Sequence, residues 1–127
     1  MSGVLIDTSV WIDHFKKGNV ALEELLGQDT ALTHPMVIGE IACGTPPAPR
    51  TQTLGDLRLL PKIQDAGLAE TMAFIERESI YGTGCGLIDI VLLTSTLITP
   101  GARLWTLDKR LAGLADRFGV AYHVAVH

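Results

Sequence analysis

The pattern of apolar and polar positions divides this chain into short strands that alternate with helices. Val4-Leu5-Ile6 contains no polar residue, which predicts a strand buried on both faces of a sheet. Leu87–Ile98 is apolar nearly all round, which predicts a buried helix. Further helices are predicted after Asp7 and after Asn19, over Pro35–Cys43, and over 51–60, 68–81 and 107–118. Further strands are predicted over 31–33, 61–63, 103–106 and 120–122.

Strands that alternate with helices are typical of an α/β fold with a mainly parallel sheet. The length of 127 residues suits a single domain over 1–127, which would bury about two-thirds of the surface of the unfolded chain. The proline-rich segment 44–50 is predicted to be a loop within that domain, because too little chain lies on either side of it for separate cores. The glycine-rich segment 82–86 is a second predicted break between helices.

The helix predicted over 68–81 carries its apolar residues on one stripe. Leu68, Met72 and Ile75 recur at helical spacing, whereas the charged residues of the segment fall largely on the other side. This spacing predicts that Leu68 and Met72 face the core.

The composition is apolar for a chain of this size. Hydrophobic residues make up 47% of the sequence and the mean hydropathy is +0.30, which predicts an apolar surface patch that binds a second copy in a homodimer. No segment reaches the roughly 18 consecutive apolar residues of a membrane span, and no basic segment introduces a signal peptide. Cys43 and Cys85 are too few for a disulfide framework, so the reducing cytoplasm is the expected location.

The net charge of −4 comes from 14 acidic residues against 10 lysines and arginines. Proteins that bind nucleic acid broadly carry a basic surplus, so the balance argues against that class. An enzyme that acts on nucleic acid through clustered acids needs only a local basic rim. The candidates for such a rim are Lys16, Lys17, Arg50, Lys109 and Arg110.

Four acidic residues lie at a predicted strand end or among apolar residues: Asp7, Glu40, Asp89 and Asp108. Asp7 and Asp108 follow predicted strands, and ligands of open α/β sheets bind at the carboxyl ends of the strands. Glu40 and Asp89 lie on apolar helix segments, where an unpaired carboxylate costs several kcal/mol. The pattern therefore predicts that the four carboxylates share one crevice.

Each of these acids also has a purely structural interpretation. The three aspartates stand where a helix N-cap is expected, although Thr8 and Ser9 could cap the first helix without a charge. Glu40 could lie at the rim of the core and extend to water. If the four do meet, their repulsion requires raised pKa values or a bound cation. Oxygen ligands favour Mg²⁺ or Mn²⁺, and no close pair of cysteines or histidines indicates Zn²⁺.

Four segments resemble PIN-domain ribonucleases, in the order VLIDTSVWIDHF, MVIGEIACG, GCGLIDIVLL and RLWTLDKRLAGLADRFGV. The resemblance covers essentially the whole chain and is greatest to the VapC type, the toxin of bacterial toxin–antitoxin pairs. It implies a PIN-like three-layer α/β/α fold with a short, mainly parallel central sheet. The implied activity is metal-dependent endoribonuclease cleavage with Mg²⁺ or Mn²⁺. The implied partners are the RNA substrate and a cognate antitoxin of the VapB type.

The resemblance also implies the residues of the active site: Asp7, Glu40, Asp89, Asp108 and Thr106. The four acids match the metal site of the family, with Glu40 as a ligand or as the base that orients water. Thr106 matches the active-site hydroxyl and would hold Asp108 in place. Arg110 stands where many relatives carry a further acid, so both one and two metal ions remain open.

Three other functions are consistent with the residues. An aspartyl phosphotransferase commonly uses a D-x-D signature, but Ser9 stands at its second position. A metal-free ribonuclease would use histidines and the RNA 2′-OH and would leave a 2′,3′-cyclic phosphate. The four histidines have no spacing that indicates such a site: His14, His34, His123 and His127. A non-catalytic module would use the acidic groove to bind a basic segment of another protein.

Overall fold

The structure is a computed structural model that describes residues 3–125 of the chain. A parallel sheet of three strands lies at its centre, in the order β2-β1-β3. The strands are β1 (Val4–Ile6), β2 (Ala31–Leu32) and β3 (Arg103–Trp105). Leu5 pairs with Leu32 on one side and with Leu104 on the other. All residues of β1 are buried, as expected for a central strand that is covered on both faces.

Seven helices surround the sheet in the part of the chain that the structure describes. They are α1 (Thr8–Lys17), α2 (Val20–Gly27), α3 (Pro35–Cys43), α4 (Arg50–Arg58), α5 (Gly67–Glu78), α6 (Leu87–Ile98) and α7 (Lys109–Arg117). The bounds of α3 and α6 are those predicted, and Asn19 caps α2 through a 2.9 Å bond from the Leu22 N–H. This arrangement confirms the predicted α/β/α architecture. None of these helices is both long and apolar enough to cross a membrane.

Helix α6 is the most buried helix, because every residue from 90 to 96 lies in the core. It packs against α5, α7 and β3. Its three hydroxyl residues in this stretch can be buried because each finds a partner: the Thr94 and Thr96 hydroxyls donate to carbonyls one turn earlier, and Ser95 contacts His34. The buried stretch therefore anchors the helix whose partly exposed first turn carries Asp89.

His34 is fully buried and ties the start of α3 to α6. Its Nδ1 accepts the Met36 N–H at 3.0 Å and so caps α3. Its Nε2 lies 2.9 Å from Oδ1 of Asp65 and 3.2 Å from Oγ of Ser95. Burial lowers the pKa of His34, against the opposing effect of the Asp65 charge. A neutral ring that accepts at Nδ1 and donates at Nε2 satisfies these contacts, so His34 has a structural role.

The prediction for the inward face of α5 is wrong. Leu68 is 61% exposed and Met72 is 49% exposed, whereas Thr71 and Phe74 are buried. Thr71 can lie in the core because its Oγ1 donates to the carbonyl of Gly67 at 2.7 Å. Leu68 and Met72 therefore form an exposed apolar strip on the surface of α5.

Two of the predicted strands are single bridges. Lys62 pairs with Thr33 and Ala121 pairs with Leu104, each through two backbone hydrogen bonds. A segment at the edge of a sheet gains bonds on one side only, so these segments end after one residue pair. The predicted strand ends also differ, because β2 and β3 stop one residue early. The helix predicted over 51–60 runs instead from Arg50 to Arg58.

Candidate active site

Asp7 lies where β1 ends and α1 begins, with a relative exposure of 5%. Its Oδ2 accepts three hydrogen bonds: from the Ser9 N–H at 3.3 Å, from the Ser9 hydroxyl at 2.6 Å and from the Thr106 hydroxyl at 2.8 Å. The backbone bond makes Asp7 itself the N-cap of α1, so the expectation that Thr8 or Ser9 caps this helix is wrong. The cap alone does not account for two further hydroxyl bonds to the same oxygen.

The two hydroxyls fix the chain after β3 against the start of α1. Ser9 Oγ accepts the Leu107 N–H at 3.0 Å, and Thr106 Oγ1 accepts the Asp108 N–H at 3.0 Å. Each hydroxyl thereby donates its one proton to Asp7 and accepts a backbone N–H in return. The carboxyl ends of β1 and β3 are held together in this way, and Asp7 and Asp108 lie at the same edge of the sheet.

Glu40 reaches the same region from α3. It is half-buried, and its Oε1 accepts a 2.7 Å hydrogen bond from the hydroxyl of Thr8, the first residue of α1. This contact was not predicted, because the sequence around Thr8 indicates only a capping role. No local pattern could have revealed it, because Thr8 and Glu40 are 32 positions apart. The side chain of Glu40 is held by this bond, rather than extended freely to water.

Asp89 lies in the first turn of α6, where its Oδ2 accepts the Gly86 N–H at 3.3 Å. Burial raises the pKa of its carboxyl, and the negative charges of Asp7, Asp108 and Glu40 raise that pKa further. The Gly86 bond opposes this rise. Asp89 therefore lies within electrostatic reach of the other three acids, although the four come from four separate segments of the chain.

Asp108 is an N-cap, as one of the two interpretations of the sequence proposed. Its Oδ1 accepts the Arg110 N–H at 2.9 Å and the Leu111 N–H at 3.0 Å at the start of α7. The residue is exposed, and its Oδ2 accepts no hydrogen bond from the described residues. Capping occupies one oxygen and leaves the second available to a ligand.

A pair of substitutions at Asp108 separates these two roles. Asn is as good an N-cap as Asp, so Asp108→Asn is expected to change the free energy of unfolding by less than about 0.5 kcal/mol. Asp108→Ala removes the cap and is expected to cost about 1 kcal/mol. RNA cleavage is expected to fall in both variants, because both remove the charge. Denaturant unfolding and cleavage rates measure the two effects, and full activity of Asp108→Asn would reduce Asp108 to a cap.

The other three acids share this division between a held oxygen and a free one. Oδ1 of Asp7, Oε2 of Glu40 and Oδ1 of Asp89 accept no hydrogen bond from residues 3–125. Carboxylate oxygens are the ligands that hard divalent cations prefer, and a cation would offset the repulsion that raises the pKa of Asp89. The donor set therefore fits Mg²⁺ or Mn²⁺.

The same side chains do not form a finished coordination cage. Within residues 3–125, no three His, Cys, Asp or Glu side chains lie close enough together to hold one metal ion. Free oxygens must therefore turn toward one another for an ion to bind. Such movement would involve rotation of the carboxylate side chains about their χ angles.

An apolar groove of about 490 Å³ continues the crevice beyond Glu40. It runs between α1 and the proline-rich loop that follows α3, and its walls include Ile12, Phe15, Ile41 and Pro46. Lys16 and Glu40 both line it, so the groove carries one basic and one acidic side chain. The groove offers both apolar contact and charge to an extended ligand.

No family model matches the sequence. Two relatives do: Ribonuclease VapC32 of Mycobacterium tuberculosis strain ATCC 25618 / H37Rv, and Ribonuclease VapC32 of strain CDC 1551 / Oshkosh. Each is 41% identical to this chain over 118 residues, which cover 93% of this chain and 94% of the relative. The match therefore spans nearly the whole length of both proteins. The resemblance found in the motifs is confirmed, and the chain belongs to the VapC-type PIN-domain ribonucleases.

Proposed function

We propose that this chain is an endoribonuclease that uses Mg²⁺ or Mn²⁺ to hydrolyse RNA phosphodiester bonds, as the toxin of a toxin–antitoxin pair. The name of its relatives supports ribonuclease activity. The observation that supports the metal-dependent mechanism is that Asp89 lies within electrostatic reach of Asp7, Glu40 and Asp108, and that each of the four has one carboxylate oxygen free of hydrogen bonds to residues 3–125. The proposed catalytic residues are Asp7, Glu40, Asp89, Asp108 and Thr106.

In this proposal, some residues of the site bind the metal ion and others hold its ligands in position. Asp7 and Asp89 act as the principal metal ligands, Glu40 as a ligand or as the base that orients water, and Asp108 as a ligand directly or through water. A divalent cation bound there supplies Lewis-acid activation of water and neutralises charge on the phosphodiester. Thr106 donates to Asp7 and accepts the Asp108 N–H, so one hydroxyl keeps both carboxylates in position.

Thr8 holds Glu40 in position, as Thr106 holds Asp7 and Asp108. Its hydroxyl donates to Oε1, which restricts the rotation of the Glu40 side chain and leaves Oε2 free of hydrogen bonds to residues 3–125. An oriented carboxylate reaches its working geometry with a smaller loss of side-chain entropy than a free one. Thr8 is a positioning residue in this proposal.

Incubation of the protein with RNA and Mg²⁺ or Mn²⁺ tests the function. Cleavage is expected with either ion, loss of cleavage with EDTA, and recovery when the ion is added back. The products are expected to lack a 2′,3′-cyclic phosphate, because activated water replaces the 2′-OH as the nucleophile. Cleavage that persists in EDTA and yields cyclic phosphate ends would indicate the metal-free mechanism instead.

Binding of the ion is expected to stabilise the fold independently of activity. An ion at 100 times its dissociation constant adds about 2.7 kcal/mol to the free energy of unfolding. For a domain of this size, that gain corresponds to a rise in Tm on the order of 10 °C. Thermal unfolding with and without Mn²⁺ measures the shift. An unchanged Tm at millimolar Mn²⁺ would contradict a site built from these carboxylates.

The proposed protein partners are a VapB-type antitoxin and a second copy of the chain. The acidic crevice and the apolar groove beside Glu40 suit a segment of the antitoxin that carries arginine and apolar residues. The exposed strip of Leu68 and Met72 on α5 offers apolar area for a homodimer. If no RNA is cleaved under any condition, binding through the acidic groove remains as the alternative function of the site.

A further inference from the structure

The basic side chains predicted for the rim of the crevice differ in what they contact. Lys17 pairs with Asp13 at 3.3 Å, and Arg50 donates to two backbone carbonyls near the end of α3. Arg110 has no such partner: its guanidinium donates no hydrogen bond and forms no ion pair within residues 3–125. Its N–H donors are therefore available to a ligand.

The Arg110 side chain lies across the glycine-rich loop 82–86. Gly84 has a φ of +88°, and a Cβ built on it would lie 2.8 Å from Cδ and 3.0 Å from Nε of Arg110. Carbon atoms that are not bonded do not approach so closely, so any other residue at this position must displace the arginine. Glycine is therefore suited to position 84 for two reasons. It adopts a left-handed backbone conformation, and its lack of a Cβ leaves a space in which the Arg110 side chain lies, here called the cradle.

This cradle lies beside two candidate acids, because the Gly86 N–H of the same loop donates to Asp89 at 3.3 Å and the Arg110 N–H donates to Asp108 at 2.9 Å. Burial raises the pKa of the Cys85 thiol, the charges of Asp89 and Asp108 raise it further, and the Arg110 charge opposes the rise. One thiol is therefore within electrostatic reach of two candidate metal ligands and of the arginine. The guanidinium of Arg110 is therefore a cation at this part of the crevice edge.

We propose that Arg110 binds a phosphate of the RNA next to the scissile bond, and that Gly84 holds the arginine in the orientation for that contact. The inference rests on the proposed function, because it assigns the neighbouring substrate phosphate to a named residue. A planar guanidinium offers parallel N–H donors that match two phosphate oxygens. The four carboxylates of the crevice repel the phosphates of RNA. A cation fixed at the edge of the crevice therefore lowers the electrostatic free energy needed to bring the RNA backbone near.

Kinetics and binding of Arg110→Ala test the contact. The KM for RNA is expected to rise about tenfold, as for loss of a charge-assisted hydrogen bond, with kcat within about twofold. Binding of a labelled single-stranded RNA oligonucleotide is measured in an Asp7→Asn background with Mg²⁺. There the slope of log K against log salt is expected to decrease in magnitude by about 0.7, the value for one phosphate contact. Arg117→Ala removes an exposed arginine at the opposite end of α7 and serves as the matched control.

A pair of glycine variants tests the cradle. Gly82 also has a positive φ, of +70°, but a Cβ there meets nothing within 4 Å. Gly84→Ala and Gly82→Ala therefore impose similar backbone strain, and only the first displaces Arg110. Gly84→Ala is expected to raise KM nearly as much as Arg110→Ala, and Gly82→Ala is expected to leave KM within about twofold. In an Arg110→Ala background, Gly84→Ala is expected to add no further rise in KM.

The outcomes separate this inference from the function on which it rests. An Arg110→Ala variant with unchanged KM and salt slope, in a protein that cleaves RNA, overturns the inference and leaves the function intact. Equal effects of Arg117→Ala and Arg110→Ala also overturn it, since they indicate diffuse attraction. Absence of cleavage by the wild-type protein refutes the function, and the salt slope still reports the phosphate contact because it is measured on binding alone.

Discussion

Asp7→Asn is expected to lower the rate of RNA cleavage at least about 100-fold. Groups that only orient metal ligands change affinity or activity by about 10–100-fold when they are removed, and Asp7 is proposed to be a ligand itself. Asn keeps the N-cap of α1, so the free energy of unfolding is expected to change by less than about 1 kcal/mol. The variant is also expected to lose most of the stabilisation by Mn²⁺, which thermal unfolding measures without reference to activity.

The matched control for Asp7→Asn is Asp116→Asn. Asp116 is an exposed acid at the far end of α7, and its carboxylate contacts His123 at 2.9 Å. The same chemical change there is expected to leave the cleavage rate within about twofold and the response to Mn²⁺ unaltered. Wild-type activity in Asp7→Asn would remove this carboxylate from the mechanism. Equal losses in the two variants would indicate that overall charge is responsible.

Leu92→Ala is expected to lower the free energy of unfolding by about 3–4 kcal/mol. Leu92 lies in the middle of α6 with a relative exposure of 0%, so truncation leaves a cavity as well as the lost transfer energy. A domain of this size has a total stability of roughly 5–15 kcal/mol, so this single change removes a large part of it. Urea unfolding followed by circular dichroism measures the effect through the shift of the midpoint.

Leu59→Ala is the matched control for the core substitution. Leu59 follows α4 and is 83% exposed, so the same truncation removes almost no buried contact. Its effect is expected to stay within about 0.5 kcal/mol. A cost of less than 1 kcal/mol for Leu92→Ala would contradict the burial of α6, and with it the firm support proposed for Asp89.

The elements of this fold follow closely from local patterns. An apolar triplet predicted β1, and apolar residues around the whole circumference predicted α6, because a segment without a polar face must be covered on all sides. A cap or a proline marks the start of α2 and α3 within one residue. The inward face of α5 was not predictable in this way. Thr71 satisfies its hydroxyl within the helix, and the choice between two faces depends on what packs against them.

The active-site acids were recognisable for a different reason. Their placement at strand ends and on apolar helix segments is unusual for carboxylates, and their order matches the motifs of a family to which the chain belongs. For Asp7 and Asp108 the sequence offered capping and ligation as alternatives, whereas the structure shows caps that leave one oxygen free. Their assignment as metal ligands stays a prediction for the experiments above.

The sequence by itself determined the element order, the family and the acids that stand out from their surroundings. Each of these depends on residues within a few positions of one another, through periodicity, capping and strand length. Only the tertiary structure decided which side chains hold those acids and which cation lies beside them. Thr8 meets Glu40, Thr106 meets Asp7, and Arg110 lies on Gly84, because packing of the core brings distant segments together. Such contacts depend on the whole fold, and no short stretch of sequence encodes them.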